Sequence, residues 1–258
     1  MKKLFLAVFF TSLISAGLST QFPVKSNGVD GTALIGEVRR AHNAPRRDLS
    51  AWTADAVRLS YYSADPGGEF PGVFARRVSV SVLGDAFKRD KTDPLGVRRE
   101  IDVFDGRVAH HSVIEGGRAV EDAAETQEPQ LRAIESTVKA FGLIPFLKQL
   151  ADPAVRVVYS GQTAETLDKF EVRTGNVRWA LFTDKKRLIR RVEIGSAAIE
   201  FGDYRSVDGS QLPFSEKVSV EGRHAFELVF TEINLNPAFS PDYFSREALH
   251  KETVRQVR

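Results

Sequence analysis

Apolar and polar residues alternate with a period of two along most of this chain. Val78, Val80 and Val82 alternate with Arg77, Ser79 and Ser81, and Phe226, Leu228 and Phe230 alternate with Glu227 and Thr231. That is the pattern of strands with one buried and one wetted face. Between 155 and 233 it predicts strands near 155–160, 167–173, 177–183, 187–194, 197–204, 212–220 and 225–233. Asp105-Gly106 and Asp208-Gly209 accept the positive φ of tight hairpins, and Gly116-Gly117, Gly175-Asn176 and Glu221-Gly222 mark further turns. Short strands at such regular spacing predict an up-and-down antiparallel meander and argue against βαβ units.

Helical spacing interrupts the strands in a few places. Leu34, Ile35 and Val38 predict a short helix within 32–42, inside a polar N-terminal segment at 20–49. Leu131, Ile134, Val138 and Phe141 follow the Glu128-Pro129 start at three- and four-residue intervals and stop at Gly142. Leu143, Ile144, Phe146, Leu147 and Leu150 form a second apolar piece around Pro145, whose missing N–H suits a first helical turn, and Asp152-Pro153 ends it. These pieces predict a kinked helical insertion near 129–151 within one domain spanning 50–245, because no linker rich in Pro, Gly or Ser marks a boundary. The mixed charges of the tail at 246–258 predict a solvated terminal helix.

The first residues read as a secretory signal at 1–19. Lys2 and Lys3 precede an apolar run over 4–18 broken only by Thr11, Ser12 and Ser15, and small residues follow. The run is too short for a membrane anchor, so no transmembrane segment is expected after cleavage and the mature protein is expected in the periplasm or the medium. Of 258 residues, 42% are hydrophobic and 27% charged, an ordinary globular balance. Lys and Arg total 36 against 34 acidic residues, and removing Lys2 and Lys3 leaves 34 against 34. A neutral chain lacks the basic footprint that nucleic acid requires. There is no cysteine, which excludes disulfides, Cys-linked lipids and thiolate chemistry.

Catalytic motifs are missing as well. His110 and His111 are consecutive in a predicted strand, so their rings leave opposite faces and cannot share one ion. His42, His224 and His250 have no ligand partner at i, i+4. No Gly-x-Ser-x-Gly elbow and no phosphate-cradling loop occur. Asp105 and Asp208 are explained as turn residues. No catalytic residue, metal ligand or cofactor is therefore assigned.

The feature that asks for a function is apolar. Phe141, Leu143, Ile144, Phe146 and Leu147 show bulk on more than one side of the helical insertion, where one stripe would cover a sheet. Such surface is either buried between layers or forms one wall of a hydrophobic cavity, with Trp179, Phe182, Phe201, Phe226 and Phe230 as the opposite wall.

The segment Phe201-Gly-Asp-Tyr204, continuing through Asp208-Gly209 and Leu212-Pro213-Phe214, resembles the late-strand pattern of the outer-membrane lipoprotein-sorting (LolA/LolB-like) superfamily. The stretch from Phe230 through Asn236-Pro237 to Tyr243-Phe244 resembles that family's last strand and its exit. The order of elements over 50–245 agrees, although the specific motifs occupy only the last third. The resemblance implies an α+β, mainly β fold, a curved antiparallel half-barrel sheet enclosing the inserted helices. It also implies an exported, non-enzymatic carrier that holds acyl chains of a lipid or lipidated protein between sheet and helices, with an envelope receptor as a partner. A non-catalytic envelope scaffold and a secreted hydrolase with a distributed site are the alternatives; His110 or His111 beside Asp102 in a pocket would favour the hydrolase.

Overall fold

The computed structural model describes residues 31–43, 49–62, 72–139, 141–175 and 177–256. The signal at 1–19 and the first part of the polar segment lie outside them. Among the described residues are thirteen strands: β1 (Ala51–Tyr62), β2 (Gly72–Leu83), β3 (Ala86–Thr92), β4 (Arg98–Phe104), β5 (Ala109–Glu115), β6 (Arg118–Glu125), β7 (Arg156–Gln162), β8 (Asp168–Thr174), β9 (Val177–Thr183), β10 (Ile189–Ile194), β11 (Ala197–Val207), β12 (Ser210–Val220) and β13 (Arg223–Leu235). Four helices accompany them: α1 (Gly31–Ala41), α2 (Glu128–Lys139), α3 (Ile144–Ala151) and α4 (Arg246–Gln256). The strands follow one another in the order β6-β5-β4-β3-β2-β1-β13-β12-β11-β10-β9-β8-β7. This is the mainly β, antiparallel meander that the alternation predicts. β6 and β7 end the order, and α2 and α3 lie in the chain that connects them.

Two compact units result, Met1–Asp48 with Gly142–Ala225 and Leu49–Phe141 with Phe226–Arg258. In the first unit, Phe170, Leu181, Val192, Ile199 and Val218 are cross-strand partners in one row from β8 to β12. All five are buried, so one face of this half is continuous core. β11 and β12 are joined through Asp208 and Gly209, both at positive φ, as a two-residue hairpin requires. At Gly202 a Cβ would stand 2.7 Å from Ser215 Oγ, so a side chain there would require the Ser215 hydroxyl to rotate away.

α1 buries Ile35 and Val38, ends on Arg39 and Arg40, which suit the negative end of the helix, and packs on α3 and β7. His42, just past its end, is fully buried. Its Nδ1–H donates to the Gln211 carbonyl (2.7 Å), its Nε2 accepts the Ile189 N–H (3.1 Å), and the Tyr204 hydroxyl donates to the Ile189 carbonyl. One neutral ring thus ties α1 to β10 and β12. Burial pushes the imidazole down to about 4 from its usual 6.5, although the Gln211 bond works the other way.

In the second unit, Phe230, Ala56 and Val78 form one apolar row, and Ile233, Ala54 and Val80 another. Across β3 to β6 the same rows turn polar. Arg89 donates twice to its cross-strand partner Asp102 (3.0 and 2.8 Å), and both are buried. Lys91 pairs with Glu100 at 2.5 Å. Burial raises the Glu100 carboxyl, but Lys91 and Arg98 outweigh it and hold the group at about 2.

The other face of this unit carries α4, which is docked and not solvated as its charge suggests. Leu249 joins Ile101, Val103 and Ala123 in a buried cluster, and Thr253 one turn later is buried too. The charges on α4 reach the sheet: Glu252 takes Lys88 and Arg99, each at 2.5 Å, and His250 bonds Asp122 at 2.7 Å.

Two stability measurements follow from this packing. The unfolded chain binds a proton at His42 near its usual 6.5 and the folded chain only near 4. Stability contributed by the neutral ring is therefore complete above about pH 6.5 and is lost as pH falls towards 4. Wild type should lose about 3 kcal/mol more than His42→Gln over that fall in chemical denaturation; parallel pH profiles would show that the ring is not neutral in the fold. Leu249→Ala should cost about 3 kcal/mol through the cavity it leaves beside Ile101, read as a lower urea midpoint. No shift in that midpoint would mean that α4 is not docked in solution.

Candidate functional site

Building the apolar site begins with α3. Pro145 lies in its first turn, no side chain caps its start, and Ile144, Phe146, Leu147 and Leu150 are all buried. At 100° per residue these four positions fall within one arc of about 160°, so they form a single broad buried face of a two-turn helix. Leu143, immediately before it, is buried as well. The break from α2 falls at Gly142, whose φ of 77° is outside the helical range and suits glycine.

In the first unit the aromatic rings meet as the sequence suggests. Phe146 lies 5.7 Å from Trp179 and 6.1 Å, edge-on, from Phe201, centroid to centroid. Trp179 is buried, and its Nε1–H has no hydrogen-bond acceptor among the described residues.

Phe182 is not brought to this group. β9 pairs with β8 without a register break, so Phe182, three residues from Trp179, leaves the opposite face. There the Arg191 guanidinium stacks on its ring at 4.2 Å and the Lys169 ammonium lies 5.7 Å from its centroid. It is buried by the stems of basic side chains, not by the aliphatic core.

Phe141, Phe226 and Phe230 belong to the second unit. Phe141 meets Phe230 edge to face at 5.4 Å, and both are buried. Phe226 is half-buried, with the Arg58 guanidinium 4.1 Å above its ring.

Glu216 was not singled out by motif, yet it is the most unusual residue in the apolar face of the first unit. It is buried, pairs across strands with Phe201, and accepts the Gly142 N–H at 2.9 Å. A carboxylate thus holds the residue at which the helical insertion breaks. Its signal was in the alternation: Leu212, Phe214 and Val218 place position 216 on the apolar side of β12.

The histidines take up structural roles. His111 is the cross-strand partner of Asp102, but its ring bonds Glu121 and Thr126, while Asp102 holds Arg89. His110 leaves the other face, opposite Val103. Among the described residues no group of three or more His, Asp or Glu is placed to hold a metal ion, and no helix is long and apolar enough to cross a membrane.

The chain matches no protein-family model and no curated protein sequence. Solved structures do match it. A LolA superfamily protein from Nitrosomonas europaea superposes with a TM-score of 0.54 at 10% identity, covering 86% of this chain and 100% of that one. A DUF1329 family protein from Desulfovibrio piger gives 0.48 at 11% identity, covering 86% and 100%. A putative outer membrane lipoprotein-sorting protein domain from Vibrio parahaemolyticus gives 0.46 at 9% identity, covering 85% and 98%. At such identity the likeness is one of architecture, and the fold of this chain is LolA-like.

Proposed function

We propose that this protein is an exported, non-enzymatic carrier of the cell envelope that holds the acyl chain of a lipid or lipidated protein against the apolar packing of α3. The observation that carries the reading is α3 itself, which hides four large apolar residues in two turns and breaks from α2 at a glycine. Burying a methylene is worth about 0.8 kcal/mol, so a long acyl chain repays displacement of such a helix without a covalent bond. Gly142 and Pro145 supply a hinge, and the Glu216 carboxylate holds it in the closed position. The unpartnered Trp179 N–H offers the cargo a donor that an ester carbonyl would satisfy. The LolA-like fold agrees with this use, the periplasm or the medium is its place, and an envelope receptor is the expected recipient.

A non-catalytic envelope scaffold is the second reading, favoured by the contacts of Phe146 with Trp179 and Phe201, which already occupy that space. Native mass spectrometry of the exported protein separates the two. A co-purified acyl compound near one equivalent is expected for the carrier. Trp52 and Trp179 are the two tryptophans, so in Trp52→Phe the emission reports on Trp179 alone and should shift on titration with dodecanoate. A clean apo mass with unchanged emission, even after incubation with phospholipid, would leave the scaffold.

A further inference from the structure

The wetted face of β7, β8 and β9, in the first unit, carries a row of like charges. Arg156 of β7 is the cross-strand partner of Arg173 of β8, and Arg173 is in turn the partner of Arg178 of β9. Three guanidinium groups therefore start from neighbouring strands, about 4.8 Å apart. Like charges directly opposite one another weaken a sheet. Parity fixes them on the solvent side, because Val172 and Trp179 beside them in sequence are buried partners on the other face. All three arginines are exposed, and none makes an ion pair or a ring contact among the described residues.

The imbalance is local, since the whole chain carries 36 basic against 34 acidic residues. On this face of the three strands Lys169 adds a fourth cation, and Glu171 is the single carboxylate. Glu171 is exposed, stands opposite Val158 and Ala180, and makes no ion pair with the arginines. On the next strand Glu193, opposite Ala180, pairs with Arg191 at 3.1 Å. Among the described residues no carboxylate pairs with the row.

Arginines standing out from the open side of a sheet do not enclose a small anion. Each guanidinium presents a planar fork of donors that suits a phosphate. A peptide lying as a strand spaces alternate carboxylates about 6.7 Å apart, out of step with cations every 4.8 Å or so. Lipid headgroups move laterally and take the spacing that the cations set. Val158, two residues from Arg156 on the same face, is 41% exposed and adds an apolar contact. β7 ends the strand order, so the row begins at the margin of the sheet.

We infer that this face docks on an anionic lipid surface, with Arg156, Arg173 and Arg178 engaging the phosphates of neighbouring headgroups. The contact is electrostatic and separate from the apolar packing of α3, so it goes beyond the carrier reading and does not rest on it.

The test uses the full exported protein with vesicles of phosphatidylcholine alone and of phosphatidylcholine mixed with phosphatidylglycerol, read by co-sedimentation. Binding should require phosphatidylglycerol and should weaken as salt is added. An arginine near an anionic surface is worth about fivefold in affinity, so Arg173→Gln should lose about that factor and the triple variant with Arg156→Gln, Arg173→Gln and Arg178→Gln about a hundredfold. Arg173→Lys should keep most of the binding. Arg223→Gln, which removes an exposed arginine outside the row, should bind as wild type. The thermal midpoint of the triple variant should hold or rise as repulsion between the strands is relieved, which separates loss of docking from loss of fold. Sodium phosphate at matched ionic strength should release no more protein than chloride; selective release would identify a free-phosphate site and overturn the membrane docking. Capture by poly-glutamate without binding to phosphatidylglycerol vesicles would assign the row to an acidic protein and overturn it as well. Equal binding to both kinds of vesicle, or undiminished binding by the triple variant, would overturn the docking face while the carrier reading, tested by acyl co-purification, stands.

Discussion

Pairing of the first strand with the last is the constraint on which the rest depends. β1 meets β13 across some 170 residues, from Trp52 opposite Leu235 to Ser60 opposite Phe226. Once those two strands are neighbours, a meander has only one way to continue on each side: β2 to β6 outward from β1, and β12 back to β7 outward from β13. The chain between β6 and β7, the two ends of the strand order, carries α2 and α3. The register break between Asp55 and Ala56 keeps this pairing on its faces, because Ala56 and Ala54 still lie beside Phe230 and Ile233. Contacts so distant in sequence carry a high closing entropy, which the apolar rows on either side of β1 offset.

Much of the architecture was legible because it is written in local period. The seven late strands lie within three residues of where alternation and turn dipeptides put them, and both pieces of the helical insertion start where Glu128-Pro129 and Pro145 suggest. Side-chain direction was legible too, but only where parity was applied. Trp179 and Phe182 differ by an odd number and cannot share a face of an unbroken strand, and the same count marks Glu216 as a carboxylate on an apolar side. His42 was beyond such reasoning. Its partners Gln211 and Ile189 lie about 150 or more residues away, and nothing near position 42 announces them. The docking of α4 was hidden for a related reason, since Leu249 alone does not make an apolar stripe.

Polar groups buried in this fold do a job that apolar packing does poorly. A row such as Phe170, Leu181, Val192, Ile199 and Val218 would tolerate a slip of two residues with little change in burial. Arg89 with Asp102, His42 between two backbone groups and Glu216 on the Gly142 amide would not, because each slip would leave a buried charge or donor unmatched. Register is therefore fixed by a few polar contacts laid over a forgiving apolar ground.

An open sheet still has to keep its two edges from pairing with other chains, and the two ends meet that need differently. At β7 the start of α1 comes so close that a Cβ on Gly31 would stand 3.0 Å from the Val157 carbonyl and 3.1 Å from the Tyr159 nitrogen. A side chain at position 31 would crowd the β7 backbone, and glycine lets the start of the helix lie against this edge. β6 is met by α4 through Ala123 and Asp122, and the rest of its length is defended by its own sequence. It carries Arg118, Glu121, Asp122 and Glu125, and it is broken at Ala123, which adopts a φ of 46°. The break turns Ala123 into the cluster around Leu249 and lets its N–H bond the buried Ser112 hydroxyl at 2.8 Å. A strand so charged and so interrupted is a poor template for a second chain, and the distortion that spoils it as an edge is the one that gives α4 its seat.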